Sequence, residues 1–183
     1  LSELAPLVNA QHGVFYVAAR EKDEAMLELV ASYALKERKN LANRFGLKEG
    51  LVGQCAYEKK RILLTNVPRD YVSISSGLGE APPLNINILP ALFEDEVKAV
   101  IELASFEEFN ETHHTFLTQL METVGIVLNT IAATMRTEEL LKESQLLTQE
   151  LQSRQTELTT KQEELHATNE ELQEKDQLLE NEK

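Results

Sequence analysis

The sequence predicts an α+β fold, an antiparallel sheet flanked by helices, followed by a long coiled-coil helix. Three observations carry this. Apolar runs with strand periodicity come in pairs joined by short polar turns. All 7 Gly, all 5 Pro and all 10 aromatic residues of the 183-residue chain lie before position 126. Beyond that point Leu151, Leu158, Leu165, Leu172 and Leu179 recur every seven residues. Turn formers and an aromatic core thus belong to residues 1–136, and residues 137–183 form a separate, elongated element.

Taken in order, Leu1, Leu4, Pro6, Leu7 and Val8 fall near helical spacing and predict a short amphipathic helix, stopped at His12 and Gly13. Residues 14–19 read as a strand, 20–24 as a turn and 26–35 as a returning strand, in which Leu27, Leu29, Ala31 and Tyr33 alternate with Glu28 and Ser32. This is a β-hairpin. The glycines of Phe45-Gly46-Leu47 and Gly50-Leu51-Val52-Gly53 supply loops, after which Leu51, Val52, Cys55 and Ala56 share one face of a short helix. Lys59-Lys60-Arg61 close it with the positive charge that a helix C-terminus favours.

Residues 62–67 form a further strand, ended by Pro68, and the polar, glycine-bearing stretch 69–83 is expected to be irregular and mobile. Two apolar runs, 87–93 and 97–104, flank Glu94-Asp95-Glu96 and predict a second hairpin. Their near-continuous hydrophobicity places them centrally in the sheet. A cap at Asn110 or Thr112 then opens a helix. Its stripe from Phe116 to Met135 is too broad for one sheet to cover, so Leu120, Val124, Val127 and Ile131 are expected at a dimer interface.

In the tail, the leucines occupy d positions and Thr148, Gln155, Gln162, Asn169 and Asp176 the a positions. The alternative register would bury Arg154, Lys161 and Lys175 and is rejected. Polar a positions cost stability and fix partner number, so a weakly stable, parallel, two-stranded coil is expected, with Leu151, Leu158, Leu165, Asn169, Leu172 and Leu179 in its seam. From Thr112 onward only Gly125 interrupts the helix, implying a length of about 100 Å at 1.5 Å per residue.

Charge narrows the function. With 31 acidic against 18 basic residues the formal charge is -13, and the acidic field argues against nucleic acid or an anionic lipid surface as partner. No apolar run approaches the roughly 18 residues of a membrane span. The single cysteine, Cys55, excludes an internal disulfide and fits a reducing, cytoplasmic compartment. A chain that starts at Leu1 and stops inside a Glu/Leu/Gln-rich run reads as an excised segment; any membrane anchor of the parent protein would lie outside it.

No metal site and no cofactor site is predicted. His113 and His114 are adjacent, diverge on a helix and read as surface residues; His12 is read as bonding locally, and His166, at an e position, as solvated. Cys55, on an apolar helical face, reads as a buried structural thiol. No Ser/His/Asp set, phosphate-cradling glycine loop or carboxylate pair is present, and Glu94, Asp95 and Glu96 read as a solvated turn.

Gly50-Leu51-Val52-Gly53-Gln54, the strand Arg61-Ile62-Leu63-Leu64-Thr65-Asn66-Val67-Pro68, and Ile88-Leu89-Pro90-Ala91-Leu92 with its return Lys98 to Ala104 occur in the order found in GAF domains. Together with Phe109 and the helix 116–131, residues 1–136 resemble that family. The tail, with Leu147-Thr148-Gln149-Glu150-Leu151 and Thr168-Asn169-Glu170-Glu171-Leu172, resembles the signalling helix that joins such modules to the catalytic part of bacterial sensor histidine kinases. The resemblance implies a non-catalytic sensory and dimerisation segment of a two-component signalling protein. Bilin attachment is disfavoured because Ala56, not His, follows Cys55. The cyclic-nucleotide pattern lacks its Asn-Lys ahead of Phe93-Glu94-Asp95-Glu96, and no histidine is placed to ligate haem. The methionine sulfoxide reductases on the related scaffold use several cysteines, and this chain has one.

Any ligand is expected to be small, neutral or cationic, between the sheet and residues 69–83, with Phe45, Asn66, Tyr71, Ile74 and Asn87 as candidate lining residues. Core packing is the competing role for the apolar ones. The alternative to a sensor is a constitutive dimerisation spacer whose pocket is filled by its own side chains.

Overall fold

The computed structural model describes residues 1–21, 24–34 and 43–181, side chains included except at 21 and 176–181. Its elements are α1 (Leu4–Leu7), β1 (His12–Glu21), β2 (Glu24–Tyr33), β3 (Arg44–Gly46), α2 (Gly50–Glu58), β4 (Ile62–Thr65), β5 (Ile74–Ser76), β6 (Gly79–Ala81), β7 (Asn85–Phe93), β8 (Glu96–Ser105) and α3 (Glu111–Asn181). An antiparallel sheet of six strands runs β3-β2-β1-β8-β7-β4, and β5 and β6 form a separate two-stranded ribbon. Two compact units, Leu1–Ile131 and Ala132–Lys183, divide between Ile131 and Ala132, a little before the boundary expected after Arg136.

Both predicted hairpins form. In β2 the predicted alternation appears as a buried Leu27 and half-buried Leu29, Ala31 and Tyr33 against exposed Glu28 and Ser32; Leu35, the predicted strand end, lies outside the described residues. Glu94 and Asp95 adopt φ of 48° and 65°, the left-handed pair that a tight hairpin requires, and β8 takes a central place in the sheet. Asn110 is the cap: its Oδ1 accepts the His113 amide at 2.9 Å.

Because strand side chains alternate, the sheet builds two cores. On one face Val14, Tyr16, Leu27, Ile86, Ile88, Val100 and Ala104 pack with Val52, Cys55 and Ala56 of α2 and with Val67 and Ile74. On the other, Leu89, Ala91, Ala99, Ile101 and Leu103 pack with Ala5, Val8 and Ala10 beside α1 and with Phe109, Leu117 and Met121. Two glycines allow the helices to come this close. A Cβ on Gly53 of α2 would stand 2.2 Å from the Gly46 carbonyl oxygen, and one on Gly125 of α3 would stand 2.1 Å from that of Leu92. Gly125 marks close helix-on-sheet contact, and α3 continues through it.

Three expectations need correction. Phe45 and Gly46 belong to a three-residue edge strand paired with Met26–Glu28, where a loop was expected. The stretch 69–83 contains the β5–β6 ribbon, in which Ile74 pairs with Ala81 and Ser76 with Gly79. And although no uninterrupted apolar run reaches span length, α3 contains an 18-residue window that is long and apolar enough, by length and composition, to cross a membrane. Counting runs missed it because isolated polar residues break the run without lowering its average much. Leu117 and Met121, within that apolar segment, pack on the sheet.

Candidate functional site

Three of the five candidate lining residues lie on the α2 side of the sheet. Phe45 of β3 meets Tyr16 of β1 edge-on, with ring centroids 5.4 Å apart and planes at 79°. Ile74 is buried in the same apolar cluster. Tyr71 is half exposed beside this cluster, and its phenol pKa is raised first by burial and then by the charge of Glu102. Phe45, Tyr71 and Ile74 are therefore gathered on one side of the sheet.

Asn66 and Asn87 do not join them. Asn66 is exposed, and its φ of 56° makes it the turn residue after β4. Asn87 is fully buried but pairs with Leu103, and its strand neighbours Ile86 and Ile88 face the α2 side, so its amide points to the opposite core. There neither amide atom of Asn87 finds a hydrogen-bond partner among the described residues.

Glu102 is the residue that sequence reasoning passed over. It lies mid-strand in β8, paired with Val14 on one side and Ile88 on the other, both buried in the α2-side core. Its carboxyl keeps some accessible surface, yet the atoms around it desolvate it enough to push its pKa up to about 7. Its charge also raises the pKa values of Tyr16, Cys55 and Tyr71, in each case after their own burial. One signal was available: an acid in the middle of the apolar run Ala99-Val100-Ile101-Glu102-Leu103-Ala104 has no solvent face to occupy.

Cys55 is buried, and its Sγ donates to the Lys60 carbonyl at 3.2 Å. Burial, then the charges of Glu58 and Glu102, push its pKa up to about 12, the opposite of a nucleophilic thiol. Ellman's reagent at pH 8 is therefore expected to titrate Cys55 only after denaturant is added. Rapid reaction in the native protein would contradict this placement.

The histidines divide. His12, expected to bond locally, instead reaches across the first hairpin to the Ala34 carbonyl. His113 and His114 are partly buried rather than surface residues, both rings lying 6.4 Å from that of Phe109, and their Nδ1 atoms have no hydrogen-bond partner among the described residues. His166 is exposed, 3.6 Å from Glu170. Among the described residues no three His, Cys, Asp or Glu side chains gather as a metal set would.

The predicted dimer residues are also placed. Leu120 and Val124 are half-buried and, with Leu1, Leu4, Phe15 and Met121, line an apolar groove of about 220 Å³. Val127 and Ile131 are each about half exposed. In the second unit Leu151, Leu158, Leu165 and Leu172 are 54–64% exposed, a bare apolar seam, and Asn169 is exposed beside them. The side chains of Asp176 and Leu179 lie outside the described residues.

A family model described as the GAF domain matches residues 1–129. The chain belongs to the GAF domain family. Among solved structures, the GAF domain of an Acinetobacter phosphoenolpyruvate-protein phosphotransferase is similar at 19% identity with a TM-score of 0.57, covering 73% of this chain and 79% of that one. The GAF domain of a two-component sensor histidine kinase from Bacillus halodurans is 12% identical with a TM-score of 0.52, covering 72% and 90%. A free methionine-R-sulfoxide reductase from Thermoplasma acidophilum is 14% identical with a TM-score of 0.51, covering 70% and 86%. At these identities the likeness is one of fold. No curated protein matches the chain. GAF domains are sensory and signalling modules, generally non-catalytic and ligand-binding, found in kinases, phosphotransferases and other proteins.

Proposed function

We propose that this GAF domain is the sensory and dimerisation segment of a bacterial, cytoplasmic two-component protein, probing a small molecule on the α2 side of its sheet and passing the result along α3 to the output domain of a sensor histidine kinase. The observation that carries the reading is the bare leucine seam of the second unit, Leu151, Leu158, Leu165 and Leu172, on the helix that also packs Leu117 and Met121 against the GAF sheet. Such a seam needs a partner, and a second copy in parallel supplies an identical one.

Charges on the helix favour a marginal pairing. Arg154, Lys161 and Lys175, at g positions, bond Glu150, Glu157 and Glu171 of their own helix at 2.6–3.0 Å, and the e positions Gln152, Thr159, His166 and Gln173 offer no acidic partner across a parallel dimer. Polar a positions and an absent inter-helix charge ladder leave two packings close in energy, which a shift in the domain can bias.

A parallel dimer is tested with cysteine at Leu151. Because Cys55 is buried and protonated, the introduced thiol is the reactive one. Mild oxidation is expected to link two chains in high yield, since equivalent d residues adjoin in a parallel, in-register pair. A monomer at high micromolar concentration, or a dimer that resists linking, would contradict the proposal.

The second reading, a constitutive spacer without ligand, draws support from Ile74 and Phe45, whose side chains already pack into the core on the candidate side. The two readings part on whether helix phase matters to output.

A further inference from the structure

Helix α3 carries two apolar patterns that differ in heptad phase. Leu120, Val124, Val127 and Ile131 follow spacings of four, three and four, the alternating d-to-a and a-to-d steps of a coil, and the pattern runs on to Thr134 before Glu138 would bring a charge to the axis. Counted back in sevens from Leu151, the d positions of the leucine seam fall at Ser144, Thr137, Thr130 and Thr123, and its a positions at Thr148, Leu141, Thr134, Val127 and Leu120. The row from Leu120 through Val127, Thr134 and Leu141 therefore belongs to both patterns, as d in the first and as a in the second. Only the companion row differs. It is Val124 and Ile131 in the first, and Thr123, Thr130 and Thr137 in the second.

Either companion row can be buried against a second helix. Ile131 is about half exposed and Val124 half-buried, while the three threonines are exposed. Their hydroxyls already have partners within the helix: Thr123 Oγ1 donates to the Gln119 carbonyl at 3.0 Å, Thr130 to that of Ile126 at 2.9 Å and Thr137 to that of Ala133 at 2.9 Å. A partner helix would thus cover satisfied hydroxyls and methyl groups, at little desolvation cost. The aliphatic companion buries more apolar surface. It also leaves a mismatch, because Thr134 to Leu141 is seven residues where a d-to-a step is four, and three extra residues overwind a coil. The threonine companion buries less and keeps the heptads unbroken as far as Leu172. The two terms oppose each other.

We propose that α3 is a two-register helix: in the dimer, residues 120–148 pack through the shared row with either Val124 and Ile131 or Thr123, Thr130 and Thr137 beside it, and the GAF domain selects between the two. The inference rests on the parallel dimer proposed above and names how its helix is regulated. Exchange turns each helix by about 50°, half of the 100° between successive residues, with no sliding along the axis. Val124 connects the choice to the domain. It lines the groove formed with Leu1, Leu4 and Phe15 and is a core residue in the aliphatic register alone, so a change in that groove weighs on one register and not on the other.

The test uses the full chain with single introduced cysteines, the native Cys55 being buried. Leu151→Cys lies in the core of both registers, Ile131→Cys in that of the aliphatic register and Thr130→Cys in that of the threonine register. Mild oxidation is expected to link chains at all three. Thr137→Leu combined with Ser144→Leu extends the leucine row upstream and favours the threonine register. In that background Thr130→Cys should gain over Ile131→Cys by at least about fivefold in linking yield, as a shift between two populated states requires, while Leu151→Cys links as before and reports that the coil is intact. Linking at only one of residues 130 and 131 in the parent, or a ratio that the double substitution leaves unmoved, would overturn the two registers with the parallel dimer still standing. Absence of linking at Leu151→Cys in the parent would remove the dimer and the proposal with it.

Discussion

Replacing Gly125 by valine is expected to destabilise the GAF domain by about 3 kcal/mol, the upper part of the usual range for forced overpacking. The reason is geometric. A Cβ at this position would lie 2.1 Å from the Leu92 oxygen, 2.8 Å from its carbonyl carbon and 3.1 Å from its nitrogen, and all three are backbone atoms that no rotamer change can move aside. The helix must lift off β7, which uncovers Leu117 and Met121 and the sheet residues beneath them. All four tyrosines lie before residue 72, so near-ultraviolet circular dichroism in urea reports this domain without interference from the tail. Glu122→Ala, on the exposed side of the same helix, is expected to shift the midpoint little. Equal midpoints for Gly125→Val and the parent would mean that α3 does not seat on the sheet at Leu92.

The second large effect concerns Glu102 and has the opposite sign. Its folded pKa of about 7 lies above the ordinary value of 4.5, so between those two pH values the folded protein keeps a proton that the unfolded chain releases. Stability from this group is therefore full below about pH 4.5 and is lost as pH rises through 7. Glu102→Gln removes the loss. At pH 8 the variant should be more stable than the parent by on the order of 2–3 kcal/mol, and at pH 4.5 nearly equal to it. His114 and Glu96, whose pKa values are lowered, contribute slopes that rise with pH, so the quantity to plot is the difference between variant and parent. A difference that does not change with pH would show that Glu102 is solvated.

The sheet was legible wherever one strand face is wet. In β2, the alternation of Leu27, Leu29, Ala31 and Tyr33 with Glu28 and Ser32 fixes the element, but a bulge opposite Phe15 and Tyr16 sends Leu27 and Leu29 to the α2 side and Tyr33 to the other core. In β7 and β8 both faces are covered, the apolar runs are nearly continuous, and parity disappears into them; Asn87 was therefore assigned to the wrong side and Glu102 was not singled out. The pattern Asn85-Ile86-Asn87-Ile88 does hold a period of two, and it would have put both asparagines opposite the isoleucines. Strands β3, β5 and β6 have three residues each, too few for periodicity to register, and they depend on pairing with partners that local sequence does not name. The long C-terminal helix was legible because a seven-residue leucine repeat without turn formers needs no tertiary context.

Phase in the helix is where the account is most exposed. Fusing residues 1–183, in heptad register, to the dimerising and catalytic core of a sensor histidine kinase gives a protein whose autophosphorylation reads the helix directly. Removing Gln152–Leu158 deletes one heptad, shortens the helix by about 10 Å and keeps the leucine seam on one face. Removing Gln152–Gln155 turns everything downstream by about 40°, four steps of 100° being one turn and a remainder. The account predicts autophosphorylation within about twofold of the parent fusion for the seven-residue deletion, by the heptad argument, and a kinase locked on or off for the four-residue deletion. Equal activity in the two deletions would contradict it, and would leave the helix a passive tether between two domains.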